Sequence, residues 1–270
     1  MDLKQYIVTT GGKQKDSQTA LAKETAERLG ILYVPRERLG LDELRQKTGA
    51  ANILVARSGQ LLLETPEGTM FFHPSMAHLR IKNIRQGKND HLIEAMALKP
   101  GMKVLDCTLG LGSDAIVESY AVGETGHVTA VETNPVMAEV VRYGLAHCES
   151  ENPMTTAAMR RIEVIASDHL SFLKSCKDNS YDAVYFDPMF RHPFHDSSSM
   201  SPLRGLADPS ALSEEAVKEA LRVSRNRVVL KETSKSTEFE RLGFTETVGG
   251  RYSKVKYGVL SSLAQADGKD

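Results

Sequence analysis

Two short stretches carry residue types and spacings suited to chemistry. In Val104-Leu-Asp-Cys-Thr-Leu-Gly-Leu-Gly-Ser-Asp-Ala115, an apolar run ends in Asp106 and glycines follow at 110 and 112. A strand that turns through glycines into a helix lets backbone approach a ligand closely, and the helix start attracts negative charge. Gly110, Gly112 and Ala115 also satisfy G-x-G-x-x-A, the spacing of a dinucleotide loop. The loop implies a nucleotide-like cofactor and leaves open which one. The second stretch, Tyr185-Phe-Asp-Pro-Met-Phe190, closes a strand with an acid, a proline and an aromatic ring.

These residues need a scaffold, and hydropathy patterning supplies one. From Pro100 onward, strand-like runs rich in Val, Ile, Tyr or Phe fall at 103–107, 127–132, 162–166, 182–187 and 227–231. Helical spacing fills the gaps near 113–122, 135–147, 168–176 and 210–224, so the pattern predicts βαβ units and a parallel sheet. A last helix near 235–242 leads to strands at 244–248 and 251–260, which predict an antiparallel hairpin at one sheet edge. Ahead of this domain, residues 1–72 read as a small α/β unit. Its strands are Tyr6–Thr9 and Ile31–Val34, and its helices start at Asp16 or Ser17 and at Leu41. A hairpin splits at Ser58-Gly59. Residues 73–99 read as a helical connector interrupted near Gly87, the second domain spans 100–260, and 261–270 is a polar tail expected to fray.

In a parallel sheet, ligands bind beyond the carboxyl ends of the strands. The first strand delivers Asp106 and the glycine loop. The second ends in Glu132-Thr133-Asn134, with Glu132 placed 20 residues beyond Gly112, where an acid meets ribose hydroxyls. The third ends in Ser167-Asp168, suited to accept from an adenine amine, and the fourth in Asp187. Over residues 100–260 these ends, in this order, resemble the class I S-adenosylmethionine methyltransferases, a Rossmann-like α/β fold that also carries a closing edge hairpin. The resemblance implies S-adenosylmethionine as cofactor. Gly110 and Gly112 would flank its methionine part, Ser113 and Asp114 would bond the polar end, and Glu132 would hold the ribose with Thr133 beside it. Ser167 and Asp168 would meet the adenine. Asp106, Thr108, Asn134 and Asp187 complete the candidate cofactor-binding set.

Asp187-Pro188-Met189-Phe190 resembles the acid-proline-proline-aromatic tetrapeptide of methyltransferases that act on exocyclic base amines or glutamine amides. Such an amine is a poor nucleophile because its lone pair is delocalised. A carboxylate that accepts its N–H directs the lone pair toward the methyl and favours proton loss. Proline stiffens the loop and the ring stacks on a flat acceptor. Methionine replaces the second proline, and with it the chain resembles the bacterial small-subunit ribosomal RNA guanine-N2 methyltransferase family. Further matches are Met76-Ala-His78-x-Arg80, Gly110-Leu-Gly112-x-Asp114-Ala115, Asn134-Pro135-Val136, Gly144-Leu145-Ala146 and Arg227-Val-Val-x-Lys231. The chain departs from that family after Phe190, at Arg191-His-Pro-Phe-His-Asp-Ser-Ser-Ser199, and over its first 70 residues. The resemblance implies structured RNA as partner, with Asp187, Pro188, Met189 and Phe190 catalytic. His78, Arg80, Lys82, Arg85, Lys88, Arg191 and His192 are the substrate-binding candidates. Residues 78–88 are basic and hold no acid.

Composition narrows the alternatives. The 270 residues carry a net charge of −1, 41% hydrophobic and 26% charged residues, which is ordinary for a soluble protein and marks no global nucleic-acid binder. Cys107, Cys148 and Cys176 lack metal-ligand spacing, and no signal peptide or membrane-length run is present. A cytoplasmic protein with free thiols and no metal or membrane partner is expected. His192 and His195 could pair on a metal, but no further ligands are evident. Gly11-Gly12-Lys13 fails as a phosphate loop because Ile7 and Gln14 stand where glycine and Ser or Thr are needed. A nicotinamide-dependent oxidoreductase would share the glycine loop and leave Asp187–Phe190 unexplained. A non-catalytic RNA-binding protein would have no use for Asp114, Glu132 and Asp187 together. Transfer RNA, DNA or a protein amide remain alternative acceptors.

Overall fold

The structure, a computed structural model, describes residues 2–12, 15–188 and 210–261. They fall into two compact units. Among the described residues, 2–73 and 134–148 make up the first, and 74–133, 149–188 and 210–261 the second. The helical segment ahead of the glycine loop therefore belongs to the second unit, and one helix from the middle of the chain belongs to the first.

The first unit holds β1 (Tyr6–Thr10), α1 (Asp16–Leu29), β2 (Leu32–Tyr33), α2 (Leu41–Thr48), β3 (Asn52–Arg57), β4 (Gln60–Thr65), β5 (Gly68–Phe71) and, later in the chain, α6 (Pro135–His147). The sheet order is β2-β1-β3-β4-β5. β1 is parallel to both its neighbours, and β3, β4 and β5 form an antiparallel meander. The β3–β4 turn is two residues long, with Gly59 at φ +73°, a left-handed conformation that glycine adopts without strain. Ile7, Ile53, Val55 and Leu62 from the sheet close around Leu44 of α2. α6 begins at a proline after Asn134, whose side chain accepts from the N–H groups of Val136 and Met137. Gly144 lets α6 press onto Phe72, because a Cβ at that position would collide with the ring.

The second unit contains α3 (Ser75–Arg85), α4 (His91–Met96), β6 (Lys103–Asp106), α5 (Ser113–Val122), β7 (His127–Glu132), α7 (Pro153–Arg160), β8 (Ile162–Ala166), α8 (His169–Ser175) and β9 (Tyr181–Phe186). Beyond residue 209 come α9 (Glu214–Val223), β10 (Ser224–Thr233), α10 (Glu238–Arg241), β11 (Glu246–Val248) and β12 (Val255–Ser261). Seven strands form one sheet in the order β11-β12-β10-β9-β6-β7-β8. The five from β8 to β10 are parallel, and β12 and β11 add the antiparallel edge. α9 shows why the helices dock. Ser213 caps it by accepting from the Ala216 N–H, and Ala216, Val217, Ala220 and Val223 line one face buried against Val184, Phe186, Val228 and Leu230. Chain order reverses between β6 and β9: β7 and β8 lie to one side, β9 and β10 to the other. The crevice at the carboxyl ends of β6 and β9 is thus the topological switch point, where open α/β sheets bind ligands. No helix among the described residues is long and apolar enough to cross a membrane.

Candidate active site

Everything at the switch point is tied to the end of β6. Register pairs Asp106 with Tyr185 of β9 on one side and Ala130 of β7 on the other. Past the strand end, Thr108 turns its N–H onto Asp106 Oδ1 at 2.8 Å and its hydroxyl toward the same oxygen at 3.3 Å. The Thr108 hydroxyl in turn accepts from the Asp187 N–H at 2.6 Å, so the loop after β6 fixes the backbone where β9 ends. Gly110 and Gly112 follow at φ +50° and +78°, and α5 starts directly after Gly112. A Cβ built at Gly110 would meet only the Thr108 carbonyl, at 3.9 Å, so the loop leaves open space on its outer side. From β7, Glu132 Oε2 accepts from the Gly110 N–H at 3.1 Å. Ser167 donates its N–H to the Glu132 carbonyl at 3.0 Å, and Asp168 caps α8.

A network of charges joins this loop to the acceptor motif. Asp114, on the first turn of α5, accepts from Arg80 of α3 at Oδ1, and from Tyr185 and Lys231 at Oδ2, both at 2.9 Å. Lys231 Nζ lies 2.6 Å from Asp187 Oδ2 and so bridges the two carboxylates. Arg80 completes its fork on Asp90, with two contacts of 2.8 Å, while Asp90 caps α4. The charged side chains are largely enclosed: Asp114 is 12% exposed, Lys231 20% and Asp187 25%.

Enclosure and charge set the protonation states. Burial alone would raise Asp114, but the Lys231 and Arg80 cations override it and hold the carboxyl well below the usual carboxylate range. Asp187 goes the other way: burial raises it most, Lys231 pulls it back, Asp114 pushes it up, and the result is about 6. Asp106 is pushed up to about 8, chiefly by burial, and its Oδ2 is buried without a hydrogen-bond partner among the described residues. Glu118, one turn along α5 from Asp114, is fully buried, and among the described residues neither oxygen has a partner; burial first, and then Asp106 and Asp114, raise it well above its ordinary 4.5. The folded protein keeps that proton while the unfolded chain loses it above pH 4.5, so Glu118 costs stability as pH rises. Glu118→Met is therefore expected to gain about 1–3 kcal/mol at pH 8 and less at pH 5. Thermal unfolding at the two pH values checks this, and an equal change at both would refute it.

Of the residues expected at the site, the fold brings Asp106, Thr108, Gly110, Gly112, Ser113, Asp114, Glu132 and Asp187 to the switch point, with Ser167 and Asp168 next along the sheet. Thr133 is exposed. Asn134 falls in the first unit, where its side chain caps α6. Pro188 follows Asp187 and is half-buried, while Met189, Phe190, Arg191 and His192 lie outside the described residues. Arg80, expected to face RNA, is turned inward onto two carboxylates. Lys82, Arg85 and Lys88 are exposed on or just after α3, and His78 Nδ1 lies 3.0 Å from the Ser150 hydroxyl. Sequence reasoning assigned no site role to Lys231, Asp90, Tyr185, Tyr257 or Glu118. For Lys231 two signals were available: its place after Val228-Val229-Leu230 near the carboxyl end of a buried strand, and the Arg227-Val-Val-x-Lys231 match.

The open face of the glycine loop, the orphaned Asp106 oxygen and the acids ending β7 and β8 fit an adenosyl cofactor. A seven-stranded sheet of this order, with this loop at its switch point, is the class I methyltransferase fold, and the match to a methyltransferase family makes the protein an S-adenosylmethionine-dependent enzyme of that class. Residues 37–251 match the family described as "Putative SAM-dependent methyltransferase", and the chain belongs to that family. It is 39% identical over 95% of its length to "Uncharacterized protein YpiP" of Bacillus subtilis, of which it covers 99%. It is similar to "Ribosomal RNA small subunit methyltransferase J" of Dechloromonas aromatica, with 28% identity over 63% of this chain and 69% of that protein. The Legionella pneumophila (strain Corby) protein of the same name is 29% identical over 70% and 82%. The fold is shared with the crystal structure of the SAM-dependent methyltransferase NGO1261 from Neisseria gonorrhoeae. That likeness has a TM-score of 0.64 and 16% identity, and covers 97% of each chain. Among the described residues, no group of three or more His, Cys, Asp or Glu could hold a metal ion.

Proposed function

We propose that the protein methylates an exocyclic base amine, guanine N2, in small-subunit ribosomal RNA, with Asp187 accepting the amine's N–H. The observation that carries this reading is the Asp187 carboxyl at the end of β9, held level with the glycine loop through Thr108 and part-exposed. Relatives named for ribosomal RNA small-subunit methylation support the choice of acceptor. In this reading Gly110, Gly112, Ser113 and Asp114 line the methionine end of the cofactor, with Asp106 and Thr108 beneath. Glu132 and Thr133 hold the ribose, and Ser167 and Asp168 meet the adenine. S-adenosylmethionine would supply a methyl on a cationic sulfur, an electrophile strong enough that alignment carries much of the barrier reduction, and would leave as neutral S-adenosylhomocysteine as the sulfur–methyl bond breaks. Asp187 orients the amine by accepting its N–H and takes up the proton as the new N–C bond forms. Pro188 stiffens the approach, with Met189 and Phe190 packing the flat base. Lys82, Arg85 and Lys88 are the phosphate contacts in this reading, and His78, Arg191 and His192 are its remaining substrate-binding candidates.

The test uses ribosomal RNA from a strain lacking the gene, incubated with the purified protein and methyl-labelled cofactor. Label recovered as N2-methylguanosine at one small-subunit position is the expected result. Label in transfer RNA alone, or in a different nucleoside, would replace the acceptor named here.

A further inference from the structure

We propose that Lys231 is a positioning residue for methyl transfer, bridging Asp114 and Asp187 so that the Asp187 carboxyl stays ionised and fixed as an acceptor for the substrate N–H. The inference rests on the role proposed for Asp187 and names what that role depends on.

Register pairs Leu230 of β10 with Phe186 of β9, so Lys231 and Asp187 leave adjacent strands at the same level. Lys231 Nζ is 2.6 Å from Asp187 Oδ2 and 2.9 Å from Asp114 Oδ2. A lysine this enclosed costs free energy unless its charge is matched, and here two carboxylates match it. Their need for it is just as great. Without Lys231, Asp114 and Asp187 would face each other as like charges in one enclosed site, and two such carboxyls do not both ionise near neutrality. Arg80 is already shared between Asp114 and Asp90, so Asp114 would keep its charge and Asp187 would take the proton. A protonated Asp187 donates a hydrogen bond where the chemistry needs an acceptor.

Among the described residues, the groups facing this pair from the packed elements agree with that outcome. α5 contributes Asp114 and Glu118, α3 contributes Arg80, the start of α4 contributes Asp90, and β6 contributes Asp106. β9 adds Tyr185 and β12 adds Tyr257. Apart from Arg80, none of these supplies a positive charge, and among the described residues Lys231 is the cation in contact with Asp187. Asp187 stands at about 6 even with that cation in place, so little margin protects its ionised form at neutral pH.

The experiment follows Asp187 directly and then follows turnover. In protein carrying carbon-13 at the aspartate carboxyls, the Asp187 resonance is assigned by its loss in Asp187→Asn. Its titration is then compared between wild type and Lys231→Met. The expected result is an upward move of about one to three pH units. Methyl transfer to small-subunit ribosomal RNA from the deletion strain should show the acid limb of its kcat profile moving up with it. Activity at pH 7 falls by about twofold for a one-unit move and about a hundredfold for a three-unit move, and recovers toward pH 9. Lys231→Arg keeps the charge and should keep the limb. Lys231→Met combined with Asp114→Asn removes the opposing carboxylate, so it should bring the Asp187 titration back down, and it serves as the second variant if Lys231→Met folds poorly. An Asp187 titration unchanged in Lys231→Met, with activity merely scaled at every pH, would overturn the proposal. If the wild-type protein labels no ribosomal RNA, the acceptor reading fails on its own, while the carboxyl titration still decides the role of Lys231.

Discussion

Asp187→Ala is expected to lower kcat for methyl transfer by about a thousandfold, within the range for loss of a positioned proton acceptor. Affinity for S-adenosylhomocysteine should stay within a few-fold of wild type. The two effects separate because the Asp187 backbone, held on the Thr108 hydroxyl, survives the substitution and keeps the loop above β6 in shape. Asp187→Asn refines the result: an amide oxygen still accepts an N–H and cannot take the proton. It should recover orientation without full turnover, falling between Asp187→Ala and wild type. Single-turnover rates and calorimetric titration with S-adenosylhomocysteine measure the two quantities. Wild-type turnover in Asp187→Ala would remove this carboxyl from the chemistry.

Asp114→Ala carries the largest expected stability effect. Three donors converge on its carboxylate, and two of them, Arg80 and Lys231, are enclosed cations. Removing one partner of a buried pair costs about 3–5 kcal/mol. Asp90 and Asp187 still hold the stranded cations, so the lower end of that range, about 3 kcal/mol, is expected, roughly 6–12 °C in Tm. The sign with pH follows from the depressed carboxyl. Its stabilisation is present in full above the ordinary 3.8 of an aspartate and fades as pH falls toward the folded-state value. The deficit of Asp114→Ala should therefore be largest near neutrality and narrow below pH 4. A deficit independent of pH would point to lost packing instead of lost charge.

Much of the scaffold could be read from hydrophobic alternation. The patterned segments at 113–122 and 135–147 coincide with α5 and α6, because Asn134-Pro135 and the glycines mark their starts chemically. The antiparallel edge was legible from two apolar runs after the last crossover helix. α7 was overlooked although Asn152-Pro153 carries the same cap-and-proline start, since Met-Thr-Thr-Ala-Ala-Met is weakly patterned and only eight residues form the helix. β5 escaped for a related reason: Gly68–Phe71 is short, and it becomes a strand by pairing with β4 more than by its own propensity. At the site, the glycines and acids that end strands announce themselves by position. Arg80, Lys231 and Asp90 do not, because their partners lie 10 to 117 residues away and no local pattern records a pairing made across the fold. Charge in a sequence reads as solvated by default, and here enclosure reverses that reading.

The long reach of these pairings has a consequence for how the enzyme comes into being. Arg80 and the glycine loop leave the ribosome first, but the second cation on Asp114 sits 117 residues later, on a strand lodged between β9 and β12. A nascent chain halted before β10 would hold both strands of the switch point, β6 and β9, yet leave Asp187 without Lys231 and β9 without its neighbour on that side. The Asp187 carboxyl therefore gains its charged partner only once β10, the last of the five parallel strands in chain order, has paired with β9.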